Sequence, residues 1–289
     1  MPRLFRAPRM PSSPSPSTAR VPGAWAVALT GAVALAIAMG IGRFAFTPLM
    51  PMMLHDGLLD LPAASWLASA NYLGYLVGAV LCMLQPWVWA RLGLRGAPDA
   101  AAMVRASLLA TAVLTLAMAL PWPAAWPTLR FAAGVACAFV FVYISGWCLG
   151  QLARRGRAAL GGSMYTGPGV GIVASGVVAS AAQGAALGWA VFAALALALA
   201  LLVRPVLLHG TLPPLPVAAA GSPSAGTPAR ASAGELALLI AGYGCAGLGY
   251  IVSATFLPVI ARQALPGSPW LDLFWPLLGV GVVVGALLT

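Results

Sequence analysis

Two arginines lie inside apolar runs that are long enough to span a membrane. Arg43 lies in the run that begins at Ala24, and Arg130 lies near the start of a later run. An ionised side chain inside a membrane is costly, so it is expected to face a cavity or a partner. Arg43 therefore predicts a fixed positive charge that attracts an anionic solute. The alternative is a structural arginine, which snorkels outward or donates to backbone carbonyls freed by Pro48 and Pro51.

Uncharged polar residues accompany these arginines. Asn71 and Tyr75 are four positions apart, so a helix places them on one face, where they contact a solute or join neighbouring helices by hydrogen bonds. Tyr250 matches Arg43 in an internal repeat described below. The alternative for Arg130 is snorkelling to the membrane surface. The predicted substrate-binding residues are Arg43, Asn71, Tyr75, Arg130 and Tyr250.

Groups that catalyse reactions or hold metals are missing from the apolar runs. Carboxylates and histidines lie in connections or at helix ends: Asp56, Asp60, Asp99, Glu235, Asp272, His55 and His209. The cysteines lack metal-ligand spacing and are explained as small buried hydrophobes: Cys82, Cys137, Cys148 and Cys245. No GxxxxGK[ST] loop is present. We expect no enzymatic activity, no cofactor, no metal site and no ATP-driven step.

The composition places these residues in a membrane protein. Of the 289 residues, 61% are hydrophobic and 7% are charged, and the mean hydropathy is +0.95. A soluble domain keeps roughly 25% of its residues charged. The net charge of +10 does not indicate a nucleic-acid partner, because the arginines stand singly or in short clusters between apolar runs. The partner that this pattern predicts is a lipid bilayer.

Eight membrane helices are predicted from apolar runs of about 20 residues. They cover 25–50, 65–89, 101–121, 126–150, 159–183, 185–204, 235–261 and 270–289. Arginines crowd the N-terminal leader and the even-numbered connections, and only Arg43, Arg130 and Arg262 depart from this pattern. By the positive-inside rule, the N-terminus is cytoplasmic. The five predicted site residues then all lie in the outer halves of their helices.

Four regions follow from this reading. Residues 1–23 form a disordered basic leader, since the apolar run after it is too long for a signal peptide. Residues 24–204 form a six-helix bundle, and the Pro-, Ala- and Ser-rich stretch 205–234 forms a flexible cytoplasmic linker. Residues 235–289 supply two helices of a second bundle. Because the chain ends at Thr289 within an apolar run, we expect either a fragment of a twelve-helix protein or a short product.

An internal repeat supports the two-bundle organisation. Residues 40–51 read GIGRFAFTPLMP and residues 247–258 read GLGYIVSATFLP, with two glycines and a proline at the same spacings. A parallel duplication of a six-helix unit would leave such a pair. Chance is the alternative, since the chain holds 33 glycines and 25 prolines.

A stripe of small residues marks the fifth predicted helix. Gly167, Gly171, Ser175 and Ala179 recur at four-residue intervals, with Pro168 beside the first. Such stripes let two helices approach closely. We predict a packing face here.

These features resemble the major facilitator superfamily of transporters. More narrowly, GIGRFAFTPLMPMM (40–53), ASANYLGYLVGA (68–79) and YGCAGLGYIVSATFLPVIAR (243–262) are similar to the YbfB/YjiJ-like subfamily of bacterial transporters. Arg130 and Gly134 resemble the superfamily's R-x-x-x-G pattern, whose arginine faces the central cavity. Ile172 replaces the last glycine of the G-P-x-x-G-G pattern associated with antiporters, and Ala90 replaces the acid of the D-R-x-G-R signature.

The resemblance implies a major facilitator fold and secondary active transport by alternating access. The expected substrate is a small solute, and the two intramembrane arginines indicate an organic anion. The alternative is a non-transporting membrane protein, either a partner subunit or a truncated remnant. We expect a monomer in the bacterial inner membrane.

Overall fold

The computed structural model describes residues 22–93, 99–210, 232–268 and 270–288, and every regular element among them is helical. Most of the predicted leader (1–23) and linker (205–234) lies outside these residues. Short 3₁₀ turns at Pro123–Ala125, Ala158–Tyr165 and Leu271–Leu273 precede α5, α6 and α9. The longer elements are α1 (Ala24–Leu35), a π-helical segment (Ala36–Arg43), α2 (Phe46–His55), α3 (Leu61–Arg91), α4 (Ala100–Ala117), α5 (Trp126–Arg154), α6 (Thr166–Ala181), α7 (Ala185–His209), α8 (Ala233–Ala264) and α9 (Phe274–Leu288).

Seven spans among the described residues are long and apolar enough to cross a membrane. The first, Ala24–His55, combines α1, the π-helical segment and α2. α1 to α7 make up six of these spans, and α8 and α9 follow them in the region predicted to belong to a second bundle. The predicted all-α membrane fold is confirmed. The eighth predicted span is shorter than expected, because its first residues form a 3₁₀ turn and α9 begins only at Phe274.

The first span is interrupted beside Arg43. The N–H of Phe44 donates to the carbonyl of Met39, five residues earlier, as in a π-helix. Pro48 has no N–H to donate to the carbonyl of Phe44, and the N–H of Thr47 donates to it instead. A new α-helix, α2, then begins at Phe46. The span is therefore a broken helix whose backbone is irregular at Arg43.

Glycines bring the helices of the bundle into backbone contact. A Cβ atom added at Gly74 of α3 would lie 2.0 Å from the carbonyl oxygen of Phe131 on α5, so only glycine fits there. A Cβ atom at Gly167 of α6 would lie 2.0 Å from the carbonyl oxygen of Ala32. One at Gly40 would lie 2.3 Å from the Cα atom of Gly171. The small-residue stripe of α6 therefore packs against the first span, as predicted.

α9 docks on another face of α6. The backbones meet at Gly169 and Gly279, where a Cβ atom on either residue would lie within 2.7 Å of the other's carbonyl oxygen. The indole N–H of Trp275 donates to the hydroxyl of Ser175 at 2.9 Å. This pair of contacts attaches the second bundle to the first.

α8 is attached only through its second half. Ala254, Thr255 and Ala261 are buried, whereas residues 233–246 are exposed among the described residues. Cys82, Cys137 and Cys148 are buried as predicted. The expectation was wrong for Cys245, which is exposed because it lies on the first half of α8.

The predicted cytoplasmic end is tied together by Arg155. Its guanidinium donates to the carbonyls of Pro22, Gln151 and Gly210, and so joins the start of α1 to the ends of α5 and α7. Partial burial and the neighbouring Arg154 lower the pKa of Arg155 from its ordinary value.

α7 extends beyond its predicted end. It continues through Pro205 to His209, where the linker was expected to have begun. Val203 and Leu207 are both buried, so the apolar face of the helix runs past the proline. Burial of that face offsets the backbone hydrogen bond that Pro205 removes.

Candidate functional site

Arg43 is buried at the break in the first span, and aromatic rings surround its guanidinium. The residue is only 9% exposed. Its Cζ atom lies 4.7 Å from the ring centroid of Tyr75, 5.0 Å from that of Tyr72 and 5.4 Å from that of Phe44. These distances are within the range of cation–π attraction. We call Arg43, Phe44, Tyr72 and Tyr75 the Arg43 cage.

Among the residues that the structure describes, no carboxylate forms an ion pair with the guanidinium of the Arg43 cage. The ion pairs of His55 with Asp56 and of Arg105 with Asp99, both among the described residues, do not involve Arg43. The Nε atom of Arg43 is buried and has no hydrogen-bond partner among the described residues. A cation–π contact contributes about 0.5–2 kcal/mol, whereas burying an ion costs several kcal/mol. The cage therefore compensates the charge in part and leaves it attractive to an anion.

Arg130 is buried beside Arg43 but points at the backbone. Its Nη1 and Nη2 atoms donate to the carbonyl oxygens of Gly42 and Arg43, each at 3.1 Å. Its Cζ atom lies 5.0 Å from the ring centroid of Phe46. The sequence suggested, as an alternative for Arg43, a role in donating to carbonyls freed by the prolines; Arg130 instead donates to two other carbonyls of the same irregular segment. Arg130 holds the broken helix in place from α5.

Asn71 connects α3 to α5 by a hydrogen bond to the backbone of Arg130. Its amide Nδ2 atom donates to the carbonyl oxygen of Arg130 at 2.9 Å, and the residue is fully buried. Its Oδ1 atom has no hydrogen-bond partner among the described residues. The amide thus makes the interhelical hydrogen bond that was the alternative to substrate contact. Asn71 and Tyr75 do share one face of α3, as their spacing predicted.

α8 meets the Arg43 cage at Tyr250 and Thr255. The ring of Tyr250 packs edge-on against that of Phe44, with centroids 6.2 Å apart. The hydroxyl of Thr255 donates to the carbonyl of Ile251 at 2.7 Å. The hydroxyl of Tyr72 therefore donates in its hydrogen bond to the hydroxyl of Thr255. The two copies of the internal repeat, which contain Phe44 and Tyr250, face each other at this site.

A cavity of about 260 Å³ lies next to this contact, towards the predicted outer surface. His55, Arg262 and Trp275 are among its lining residues. Trp275 also packs against Phe44, with ring centroids 6.0 Å apart. Trp275 therefore contacts both the cavity and the Arg43 cage.

The structure brings all five predicted residues to one region, in different roles. Arg43 and Tyr75 belong to the cage, Tyr250 borders it, and Arg130 and Asn71 support its backbone. Sequence reasoning missed Phe44, Tyr72 and Thr255. Tyr72 had a usable signal, because it lies three positions before Tyr75 and so shares its side of α3. Among the described residues, no group of three His, Cys, Asp or Glu side chains could hold a metal ion.

Comparisons with known proteins place this site in a family. No curated protein and no solved structure matches the chain. A family model described as "Uncharacterised MFS-type transporter YbfB" matches residues 35–289, which include the whole Arg43 cage and its contacts with α8. The match supports a transporter over a non-transporting membrane protein. The chain is a multi-pass membrane protein and belongs to the YbfB-like family of major facilitator transporters.

Proposed function

We propose that this transporter carries a small organic anion, which binds at Arg43. The observation that supports this most is the buried guanidinium of Arg43, which has an unpartnered Nε atom and forms no ion pair with a carboxylate among the described residues. The Nε atom of Arg130 is also unpartnered, but both terminal nitrogens of Arg130 donate to backbone carbonyls. Intramembrane charges commonly mark substrate pathways, and Phe44 of the Arg43 cage contacts Trp275, which lines the cavity of about 260 Å³. A carboxylate would supply the missing partner, because guanidinium and carboxylate pair through two parallel hydrogen bonds.

Arg130 and Asn71 act as positioning residues in this proposal. Arg130 has both terminal nitrogens on the carbonyls of Gly42 and Arg43, and Asn71 fixes the backbone of Arg130. The broken first span is thereby held at an angle that keeps the Arg43 side chain among the rings. Irregular backbone of this kind is tolerated in a membrane where protein surrounds it.

Alternating access would proceed by movement of α8 and α9 against the six-helix bundle. α8 contacts the bundle near Thr255 and is exposed over residues 233–246. Rocking of one bundle on the other around a shared site is the usual behaviour of folds with internal repeats. The hydrogen bond from Tyr72 to Thr255 and the contact of Phe44 with Tyr250 would break and re-form as the site opens outward.

The proposed setting is the bacterial inner membrane, with a cytoplasmic N-terminus and a single copy of the chain acting alone. Arg91, Arg105, Arg155 and Arg204 lie at one end of the bundle's helices, and His55 lies at the other. That asymmetry supports the orientation by the positive-inside rule.

Uptake into proteoliposomes tests the proposal. Vesicles that contain the full chain would be placed in a defined mixture of organic anions, organic cations and neutral solutes, and their contents measured by mass spectrometry. We expect at least one anion to enter, and to enter much less with Arg43→Gln. Arg91→Gln is the matched control, because it removes an exposed arginine at the end of α3. Entry of cations or neutral solutes alone would refute the proposal.

A further inference from the structure

The number of free positive charges at the site limits the charge of the substrate. The nearest second cation is Arg130, and both of its terminal nitrogens already bond backbone carbonyls at 3.1 Å. Turning it toward a solute would leave those carbonyls unpaired in the irregular part of the first span, which is costly. The chain has no lysine to replace it. One guanidinium therefore faces the substrate.

A second negative charge on the substrate would consequently be buried without a partner. A buried ion whose partner is absent is strongly disfavoured, and the ring faces of the cage cannot stabilise an anion. A tyrosine hydroxyl can donate a hydrogen bond to a carboxylate, but it supplies no positive charge. A carboxylate carries one charge and fits the edge of one guanidinium. Dicarboxylates and phosphate esters carry a second negative charge, for which the site supplies no second cation.

The walls of the site also limit the body of the substrate. Phe44, Tyr72 and Tyr75 lie around the guanidinium, and Tyr250 packs against Phe44 from α8. Tyr72 and Tyr75 are half-buried and Tyr250 is 41% exposed, so the protein does not cover the whole surface of these side chains. Ring pairs attract in edge-on and offset geometries beyond the simple burial of area. This surface favours a flat aromatic body.

We propose that the Arg43 cage selects aromatic monocarboxylates, with Tyr72 and Tyr75 as the residues that determine this specificity. The inference rests on the proposed binding of an organic anion at Arg43. It adds two limits, one negative charge and an aromatic body, that anion binding alone does not require.

Calorimetric titration of the purified full chain with four benzene-ring and cyclohexane-ring probes tests both limits. Benzoate is the reference, phthalate adds a second carboxylate, benzamide removes the charge and cyclohexanecarboxylate removes the aromatic ring. We expect benzoate to bind at least about 10-fold more tightly than phthalate and at least about 3-fold more tightly than cyclohexanecarboxylate. Benzamide should show no measurable binding. This series uses the unaltered chain, so it does not depend on the folding of a variant.

Two variants of Tyr75 separate its ring from its hydroxyl. Tyr75→Phe keeps the ring and should keep the preference for benzoate over cyclohexanecarboxylate, whereas Tyr75→Leu should abolish that preference while still binding cyclohexanecarboxylate. Tighter binding of phthalate than of benzoate, lost in Arg43→Gln, would overturn the proposed selectivity and leave the anion site standing. Failure of every carboxylate to bind in an Arg43-dependent way would overturn both.

Discussion

The guanidinium of Arg130 donates a hydrogen bond of 3.1 Å to the carbonyl oxygen of Arg43, so one intramembrane arginine holds the backbone of the other. The same guanidinium also bonds Gly42 at 3.1 Å. Two buried cations are thus kept in distinct roles. The terminal nitrogens of Arg130 are bound to the protein, and in the proposed function Arg43 faces the substrate.

Replacing Arg130 should weaken the fold at the helix break. Arg130→Lys keeps the charge, but a single ammonium cannot reproduce a fork that reaches two carbonyls. Hydrogen bonds from charged groups contribute about 1.5–3 kcal/mol each, so losing one of the two should destabilise the fold by about 1.5–3 kcal/mol, measured by thermal unfolding in detergent.

Arg204→Lys provides the control for that substitution, since Arg204 is an exposed arginine near the end of α7. It should leave the unfolding temperature unchanged. An Arg130→Lys protein as stable as the unaltered chain would mean that the two carbonyl contacts do not support the break.

Gly134 should tolerate no side chain. A Cβ atom there would lie 2.1 Å from the carbonyl oxygen of Asn71, so Gly134→Ala must push α5 away from α3. Overpacking of this kind costs about 1–3 kcal/mol, and the shift would also displace Tyr72 and Tyr75. We expect a lower unfolding temperature together with weaker anion binding.

Gly150→Ala on the same helix is the matched comparison. Nothing lies within 4 Å of a Cβ atom at that position, so alanine should be neutral or should stabilise α5 by up to about 1 kcal/mol. Equal effects of the two substitutions would contradict the close approach of α3 and α5.

The contact between Tyr72 and Thr255 should be measurable as a coupling between the two bundles. Tyr72→Phe and Thr255→Val each remove one partner of the hydrogen bond, and a double-mutant cycle in thermal unfolding should give a coupling of about 0.5–1.5 kcal/mol. Tyr243→Phe is the control, because Tyr243 is 77% exposed on the first half of α8. Strict additivity of Tyr72→Phe and Thr255→Val would show that the bond does not hold α8 to α3.

Reporter fusions should reveal the orientation of the chain. Alkaline phosphatase, which is active only outside the cytoplasm, should be active when joined after Gly57 and inactive when joined after Gly156. Both glycines lie in turns, with φ of +68° and +64°, so the two fusion points are structurally matched. The reverse activities would place the arginine-rich end outside.

Much of the fold could be predicted from sequence because a membrane helix must be long and apolar. Arg43 could be identified as a candidate site residue for the same reason, because a charged side chain is costly inside an apolar membrane helix. The repeat drew attention to Tyr250, which packs against Phe44 next to Arg43.

Other parts of the site depend on geometry that no pattern of residue types conveys. The contacts of Arg130 follow from a π-helical segment and an interrupted helix, which place two carbonyls in its reach. Tyr72 and Phe44 are ordinary aromatic residues in an apolar run until the helices pack. The continuation of α7 past Pro205 likewise depends on the burial of Leu207.

The most direct test of the central claim is thermal unfolding of the purified chain with a panel of acetate, lactate, benzoate, choline and glycerol. A ligand that binds only the folded protein at 100 times its Kd stabilises it by about 2.7 kcal/mol. We predict that at least one carboxylate raises the unfolding temperature of the unaltered chain and of Arg91→Gln, but not of Arg43→Gln. Stabilisation by choline or glycerol without any carboxylate, or an equal response of Arg43→Gln, would contradict anion binding at Arg43.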